Sequence, residues 1–251
     1  MIVAEKLSKY FGSKKVIQDV SVEVQRGAIT SFIGPNGAGK STLLSMVSRL
    51  LKQDDGIVYL DGKNVHKQKS KDLAKTIAIL RQSNVVQMKL TVRELVSFGR
   101  FPYSSGKLTE EDEQKISEAI AYVNLEELED KYLNELSGGQ RQRAFIAMVL
   151  AQDTDYILLD EPLNNLDMKH AVQMMKLLRK LVEDFGKTIL LVIHDINFAS
   201  VYSDRIVAMK DGSIIAEGPT DDIIQSDVLK SIYDLDIDVH NISCNRICVY
   251  F

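Results

Sequence analysis

An apolar run, Ile29-Thr-Ser-Phe-Ile33, leads directly into Gly34-Pro-Asn-Gly-Ala-Gly39-Lys40-Ser41, and from Ser41 to Leu51 the apolar residues Leu43, Leu44, Val47 and Leu51 recur at helical spacing. Strand, glycine-rich loop and helix in immediate succession constrain the fold more than any other feature of the chain. The loop fits G-x-x-x-x-G-K-[ST], a spacing whose chemistry depends on sitting between a strand and a helix start. Glycines at Gly34, Gly37 and Gly39 permit backbone turns closed to residues with side chains, so that several N–H groups converge at a positive helix terminus. Such a nest holds phosphate oxygens. Lys40 is placed to neutralise β- and γ-phosphates and the Ser41 hydroxyl to ligate Mg²⁺. A turn that merely joins strand to helix needs neither the lysine nor the hydroxyl. Gly34, Pro35, Asn36, Gly37, Ala38, Gly39, Lys40, Ser41 and Thr42 are therefore the candidate nucleotide-binding residues.

The rest of the pattern agrees with an α/β class. Val20 to Val24, Ile57 to Leu60 and Ile77 to Leu80 read as strands, followed by a stretch from about residue 83 to 150 in which Leu90 to Arg100, Glu110 to Asn124 and Gly139 to Leu150 have helical spacing. Strands return at Tyr156 to Leu159, Thr188 to Ile193 and Arg205 to Met209, separated by helical Met168 to Phe185 and Asn197 to Ser203. Apolar strands alternating with helices imply a parallel sheet with a helical insertion. Ile206 to Glu217, with Asp211-Gly212 in the middle, reads as a hairpin. No run of about 18 apolar residues and no signal-like start occurs, which predicts a chain that neither spans a membrane nor is secreted. Lys plus Arg number 31 against 35 Asp plus Glu, a balance that argues against a surface built to hold nucleic acid. Cys244 and Cys248, a lone C-x-x-x-C, fall short of a zinc set and read as reduced thiols.

Tyr156-Ile-Leu-Leu-Asp160-Glu161 is an apolar strand ending in two acids, which delivers carboxylates to the sheet edge where phosphates bind. Asp160 suits Mg²⁺ coordination, direct or through water, and Glu161 suits polarisation of an attacking water. Without a phosphate loop upstream, the pair reads equally well as strand-end solubility residues. His194 closes the run Ile189 to Ile193 and emerges at the same edge, where it is placed to donate to a γ-phosphate; a structural histidine is the alternative. Gln82, just past Ile77 to Leu80, is a third strand-end polar group able to contact metal and water. Leu136-Ser-Gly-Gly-Gln140 precedes a helix and reads as a capping box, Ser137 at the N-cap and Gln140 reaching back. Ser137, Gly138, Gly139 and Gln140 also make a second anion-binding helix start.

With these motifs on the page, the chain resembles the nucleotide-binding subunits of ABC transporters over residues 1 to 220. Gly34 to Ser41 matches their Walker A, Gln82 their Q-loop, Leu136 to Gln140 their LSGGQ motif, Ile157 to Glu161 their Walker B and His194 their switch histidine. Asn164-Asn-Leu-Asp167 matches their D-loop in part, with Asp167 the residue that carries over. Tyr10 stands where the family stacks an aromatic on adenine, a core tyrosine being the alternative. The resemblance implies a P-loop NTPase core, RecA-like, with an N-terminal antiparallel β subdomain and an inserted α-helical subdomain. By residue the implied division is 1–82 and 151–220 for the core, 83–150 for the helical part and 221–251 for a C-terminal extension. It further implies binding and hydrolysis of ATP with Mg²⁺, and a head-to-tail dimer in which LSGGQ of one copy covers the γ-phosphate held by the other. The expected partners are integral membrane permease subunits and, indirectly, a substrate-binding protein, with no nucleic acid. The expected location is the cytoplasmic face of the membrane.

Leu90 to Tyr103, with its Gly99-Arg100-x-Pro102-Tyr103 wording, is similar to the ATPases of iron–siderophore, haem and cobalamin importers. Iron-complex import is the cargo expectation, and Ser83 to Lys89 are the expected contacts of a permease helix. An amphipathic helix ending before Pro102 is the plain structural alternative. An exporter subunit, another importer or a soluble non-transport ABC ATPase remain open at this point.

Overall fold

The computed structural model describes residues 1–81, 88–243 and 245–250. Gln82, most of the Ser83 to Lys89 stretch, Cys244 and Phe251 lie outside the described residues. The strands run β1 (Ile2–Phe11), β2 (Lys14–Val24), β3 (Ile29–Ile33), β4 (Asp55–Leu60), β5 (Lys63–Asn64), β6 (Ile77–Leu80), β7 (Tyr156–Asp160), β8 (Thr188–Val192), β9 (Arg205–Lys210), β10 (Ser213–Pro219), β11 (Asp238–Ile242) and β12 (Asn245–Val249). The chain forms two compact units, Met1–Gln68 with Val182–Phe251, and Lys69–Leu181.

The first unit holds two principal sheets. One is antiparallel, in the order β2-β1-β4-β5. In the other, β3 lies between β8 and β9 with both pairings parallel, and β10 returns antiparallel on β9. Every residue of β3 and of β8 is buried, as expected for parallel strands covered on both faces. Lys210 pairs with Ser213 across Asp211-Gly212, and both turn residues have positive φ, 49° and 79°. That is the backbone of a type I′ turn, the expected hairpin. A smaller hairpin, β11 with β12, ends the chain.

The second unit pairs β6 with β7 in parallel and carries the helices of the insert. The expected helix over Leu90 to Arg100 is shorter. It spans Val92–Ser97, tightens to a 3-10 turn over Phe98–Arg100, and gives way to a four-residue helix, Phe101–Ser104, with Pro102 in its first turn. Pro102 thus starts a turn of helix, where its missing N–H costs nothing. The helix expected over Ser41 to Leu51 likewise stops at Val47, and Arg49 just beyond has φ 61°.

The Gly99-Arg100-x-Pro-Tyr103 wording is a packing node. A Cβ on Gly99 would overlap the Met148 carbonyl of helix Gly138–Ala151. Arg100 is buried, donating through Nε to Asp112 Oδ1 (2.8 Å) and through Nη1 to Ala151 O (2.9 Å), with its guanidinium carbon 4.0 Å from the centroid of the Tyr103 ring. Asp112 in turn closes a capping box with Thr109 at the start of helix Glu110–Tyr122. The Thr109 N–H, then the Arg100 guanidinium, hold the Asp112 carboxyl below the usual carboxylate range against burial, which pushes the other way.

Candidate nucleotide site

The first unit supplies the phosphate loop. Gly34 and Gly39 have φ of 133° and 100°, values that no residue with a Cβ adopts without strain. Space is denied as well: a Cβ on Gly34 would overlap the Met209 carbonyl of β9, and one on Gly39 would stand 2.6 Å from Ile17 Cδ1 and 3.1 Å from Val16 O of β2. The loop is therefore pressed between two strands. Gly39 is the N-cap of helix Lys40–Val47, with no side-chain cap hydrogen bond, and Ser41 and Thr42 occupy the first turn. Lys40 is buried, its Nζ donating to Gly34 O (2.7 Å) and Pro35 O (2.9 Å). A buried ammonium held back over the loop it belongs to is placed for the oxygens that loop would cradle.

The parallel register sets His194 level with this loop. Phe32 of β3 pairs with Val192 of β8, so Gly34 and His194 each lie two residues beyond a matched pair. His194 is exposed, and Asp195 after it caps helix Ile196–Tyr202, accepting from the N–H groups of Asn197 (2.8 Å) and Phe198 (3.1 Å). Tyr10, at the end of β1, is 42% exposed with Lys15 Nζ 5.6 Å from its ring centroid. It is not a core tyrosine. Its backbone N–H donates to Asp54 (2.7 Å), and that bond, followed by Lys9, lowers the Asp54 carboxyl pKa.

In the second unit, Asp160 is the last residue of β7, and Glu161 follows with φ 53°. A left-handed residue directly after an extended one turns Glu161 away from the line of the strand, separating the two acids' directions at a backbone cost of order 1–3 kcal/mol. The Asn164 side chain donates to Glu161 Oε2. Asn164 departs from the family wording, yet it is a direct neighbour of the candidate water-polarising acid. Asp167 accepts from the His170 N–H (2.9 Å) and faces His170 Nδ1 (2.8 Å), and the first of these bonds lowers its pKa.

Ser137 caps helix Gly138–Ala151, accepting from the Gln140 N–H (3.3 Å) while Gln140 Oε1 accepts from the Ser137 N–H (2.9 Å). The expected capping box is present. Ser137 and Gly138 are exposed and Gly139 is buried. A Cβ on Gly139 would fall within the His170 ring, whereas one on Gly138 would meet only Asn165 O at 3.7 Å. The two glycines have different reasons to be glycine.

A phosphate loop on a parallel sheet, with acids at the end of a buried strand and a separate capped Ser-Gly-Gly-Gln helix start, defines an ATP-binding cassette. The chain matches the family model described as ABC transporter over residues 17–164, and it belongs to that family as an ATP-binding, ATP-hydrolysing subunit. It is 60% identical over 251 residues, all of both chains, to the petrobactin import ATP-binding protein YclP of Bacillus subtilis (strain 168). It is 52% identical over 250 residues, again all of both chains, to the petrobactin import ATP-binding protein FatE of Bacillus anthracis. Among solved structures it is similar to the dimeric post-hydrolysis state of the ATP-binding cassette MJ0796 bound to ADP and Pi, at a TM-score of 0.77 and 33% identity, over 88% of this chain and 99% of that one.

Proposed function

We propose that this chain is the ATPase subunit that powers import of an iron–siderophore complex through a membrane permease. Full-length identity of 60% to a petrobactin import ATP-binding protein carries the cargo class, because the likeness extends past the cassette motifs to both ends of the chain. No helix among the described residues is long and apolar enough to cross a membrane, so on this reading the pathway belongs to the permease, and the chain works on its cytoplasmic face. A substrate-binding protein acts upstream of that permease and does not touch this chain.

In this reading Tyr10 stacks on adenine, residues Gly34 to Thr42 cradle the phosphates and Lys40 moves from its carbonyl partners onto the β- and γ-oxygens. Ser41 and Asp160, with Gln82, present a hydroxyl, a carboxylate and an amide carbonyl, the hard oxygen set that Mg²⁺ prefers. The ion, when bound, would neutralise phosphate charge. Glu161 orients and polarises the attacking water, and general-base help of this kind is worth about 10²–10⁴-fold. His194 donates to the γ-phosphate. The helix start at Ser137, Gly138, Gly139 and Gln140, exposed at its first two residues, is the anion site left over when the phosphate loop has taken one nucleotide. Its use is to cover the γ-phosphate held by a second copy, with Asp167 lying alongside. ATP favours the closed pair and hydrolysis releases it, and this difference in affinity is what drives the permease.

Two measurements test the reading. Uptake of labelled ferric siderophore should be lost in a deletion strain and restored by the wild-type gene; unchanged uptake removes the cargo. Lys40→Ala should abolish MgATP binding, while Glu161→Gln should keep ATP and accumulate as a dimer; wild-type turnover in Glu161→Gln would strip that residue of its role.

A further inference from the structure

The segment after β10 has no part in the cassette chemistry described so far, yet it reaches the phosphate loop. Helix Ser226–Tyr233 buries Leu229 and Ile232 in the first unit, and its last residue, Tyr233, accepts a hydrogen bond at Oη from the Gly34 N–H (3.1 Å). Asp234, its C-cap, holds Lys210 Nζ with both carboxylate oxygens (2.7 Å each), and the same ammonium donates to Ser231 O (2.9 Å). Lys210 follows Met209, whose carbonyl backs Gly34. The helix end thus grips the tip of β9 and the first residue of the phosphate loop together. Burial pushes the Tyr233 phenol up to about 12, the Gly34 N–H acting in the opposite sense, so the oxygen is a neutral acceptor at any working pH.

We propose that Tyr233 is a positioning residue for nucleotide binding, its phenol oxygen fixing the entry of the phosphate loop by accepting from the Gly34 N–H. Gly34 is buried, and without that oxygen its N–H has lost a partner that water does not readily replace. The peptide then has reason to rotate, and Gly34 O, which holds Lys40 Nζ, rotates with the loop. The consequence falls on phosphate affinity. The acids of the second unit are untouched, so the chemical step is affected less than binding. The inference rests on reading Gly34 to Ser41 as the triphosphate site.

The test uses the full chain with Tyr233→Phe, which removes one oxygen and keeps the ring, beside Lys40→Ala. Expected for Tyr233→Phe are a Kd and KM for MgATP raised about 3- to 10-fold, a change larger than that in kcat, and faster hydrogen exchange at the Gly34 amide while Leu229 and Ile232 amides stay protected. A merely structural role for the phenol would loosen the helix and spare Gly34. Unchanged Kd and unchanged Gly34 exchange in Tyr233→Phe, with binding lost in Lys40→Ala, overturn the positioning role alone. Wild-type affinity in Lys40→Ala would instead overturn the triphosphate reading, and the proposal with it.

Discussion

The His170 ring occupies the space that any side chain on Gly139 would need, and its Nδ1 stands 2.8 Å from Asp167 Oδ1. One imidazole therefore ties the Ser-Gly-Gly-Gln helix to the turn that carries Asp167. Gly139→Ala should displace the ring, breaking that link, and should cut ATP turnover at least tenfold with MgATP binding retained. Gly138→Ala has room for its methyl and should do much less by this route. His170→Ala removes the same link and should cost about as much, and the double variant should lose little more than either single one, so the double-mutant cycle should be non-additive. Additive losses would mean the two residues act separately.

The Arg100–Asp112 pair is 2.8 Å apart with both side chains 4% exposed. Removing one partner of such a pair leaves the other charge buried, at a cost of about 3–5 kcal/mol. Asp112→Asn should show this in chemical denaturation, and a change below about 1 kcal/mol would contradict it. The pH dependence has a definite sign. Because the folded carboxyl lies below its unfolded value near 3.9, its stabilisation is complete above that value and is lost as pH falls through the folded pKa. Acid melting of the wild type below about pH 4 should accordingly be steeper than that of Asp112→Asn.

Ser137 is exposed at a capped helix start, where its hydroxyl is committed to Gln140. Ser137→Arg should block turnover through bulk and charge at the face proposed to meet a second copy. Binding of MgATP to the monomer should be unaffected, as measured by calorimetry at low protein concentration. Unchanged turnover would refute a site shared between two copies.

Cys248 is buried in β12, and burial followed by Asp195 pushes its thiol up to about 11. Asn197 holds the strand there as a backbone would, its Oδ1 accepting from the Cys248 N–H (2.7 Å) and its Nδ2 donating to the Cys248 O (3.2 Å). Iodoacetamide at pH 7.5 should label the Cys248 peptide slowly, and Asn197→Ala should raise the rate at least fivefold by freeing the hairpin. Equal rates would show that the hairpin is held elsewhere.

The legible parts of the fold were those where one rule dominates. β3 and β6 stand at the residues their apolar runs mark, and the β9–β10 turn falls on Asp211-Gly212. β1 escaped because its alternation is broken: Lys6 has φ 50°, and the register against β2 shifts beyond Ala4. β11 is exposed along nearly all its length and has no buried face to leave a pattern. Its hairpin is held through hydrogen bonds from Asn197 and Ser200 to β12, which periodicity does not encode.

The site divides in the same way. Lys40, Ser41, Ser137, Asp160 and Glu161 announce themselves because chemistry fixes their spacing. Tyr233 and Asn164 act through contacts made only once the chain has folded, and Arg100, which the family wording singled out, proves to be a buried tie between helices. The signal available for Asn164 was its place three residues after Glu161.

The hairpin tip at Asp211-Gly212 has the look of a harmless place to splice in a tag, since exposed turns usually accept one. Here the Gly212 N–H donates to Ala38 O (3.1 Å), its carbonyl accepts from the Gln18 N–H (2.8 Å), and a methyl on it would strike Val16 O. Lengthening that tip by even a few residues would withdraw a brace from beneath the phosphate loop, and an engineer would meet the damage as lost catalysis rather than as misfolding.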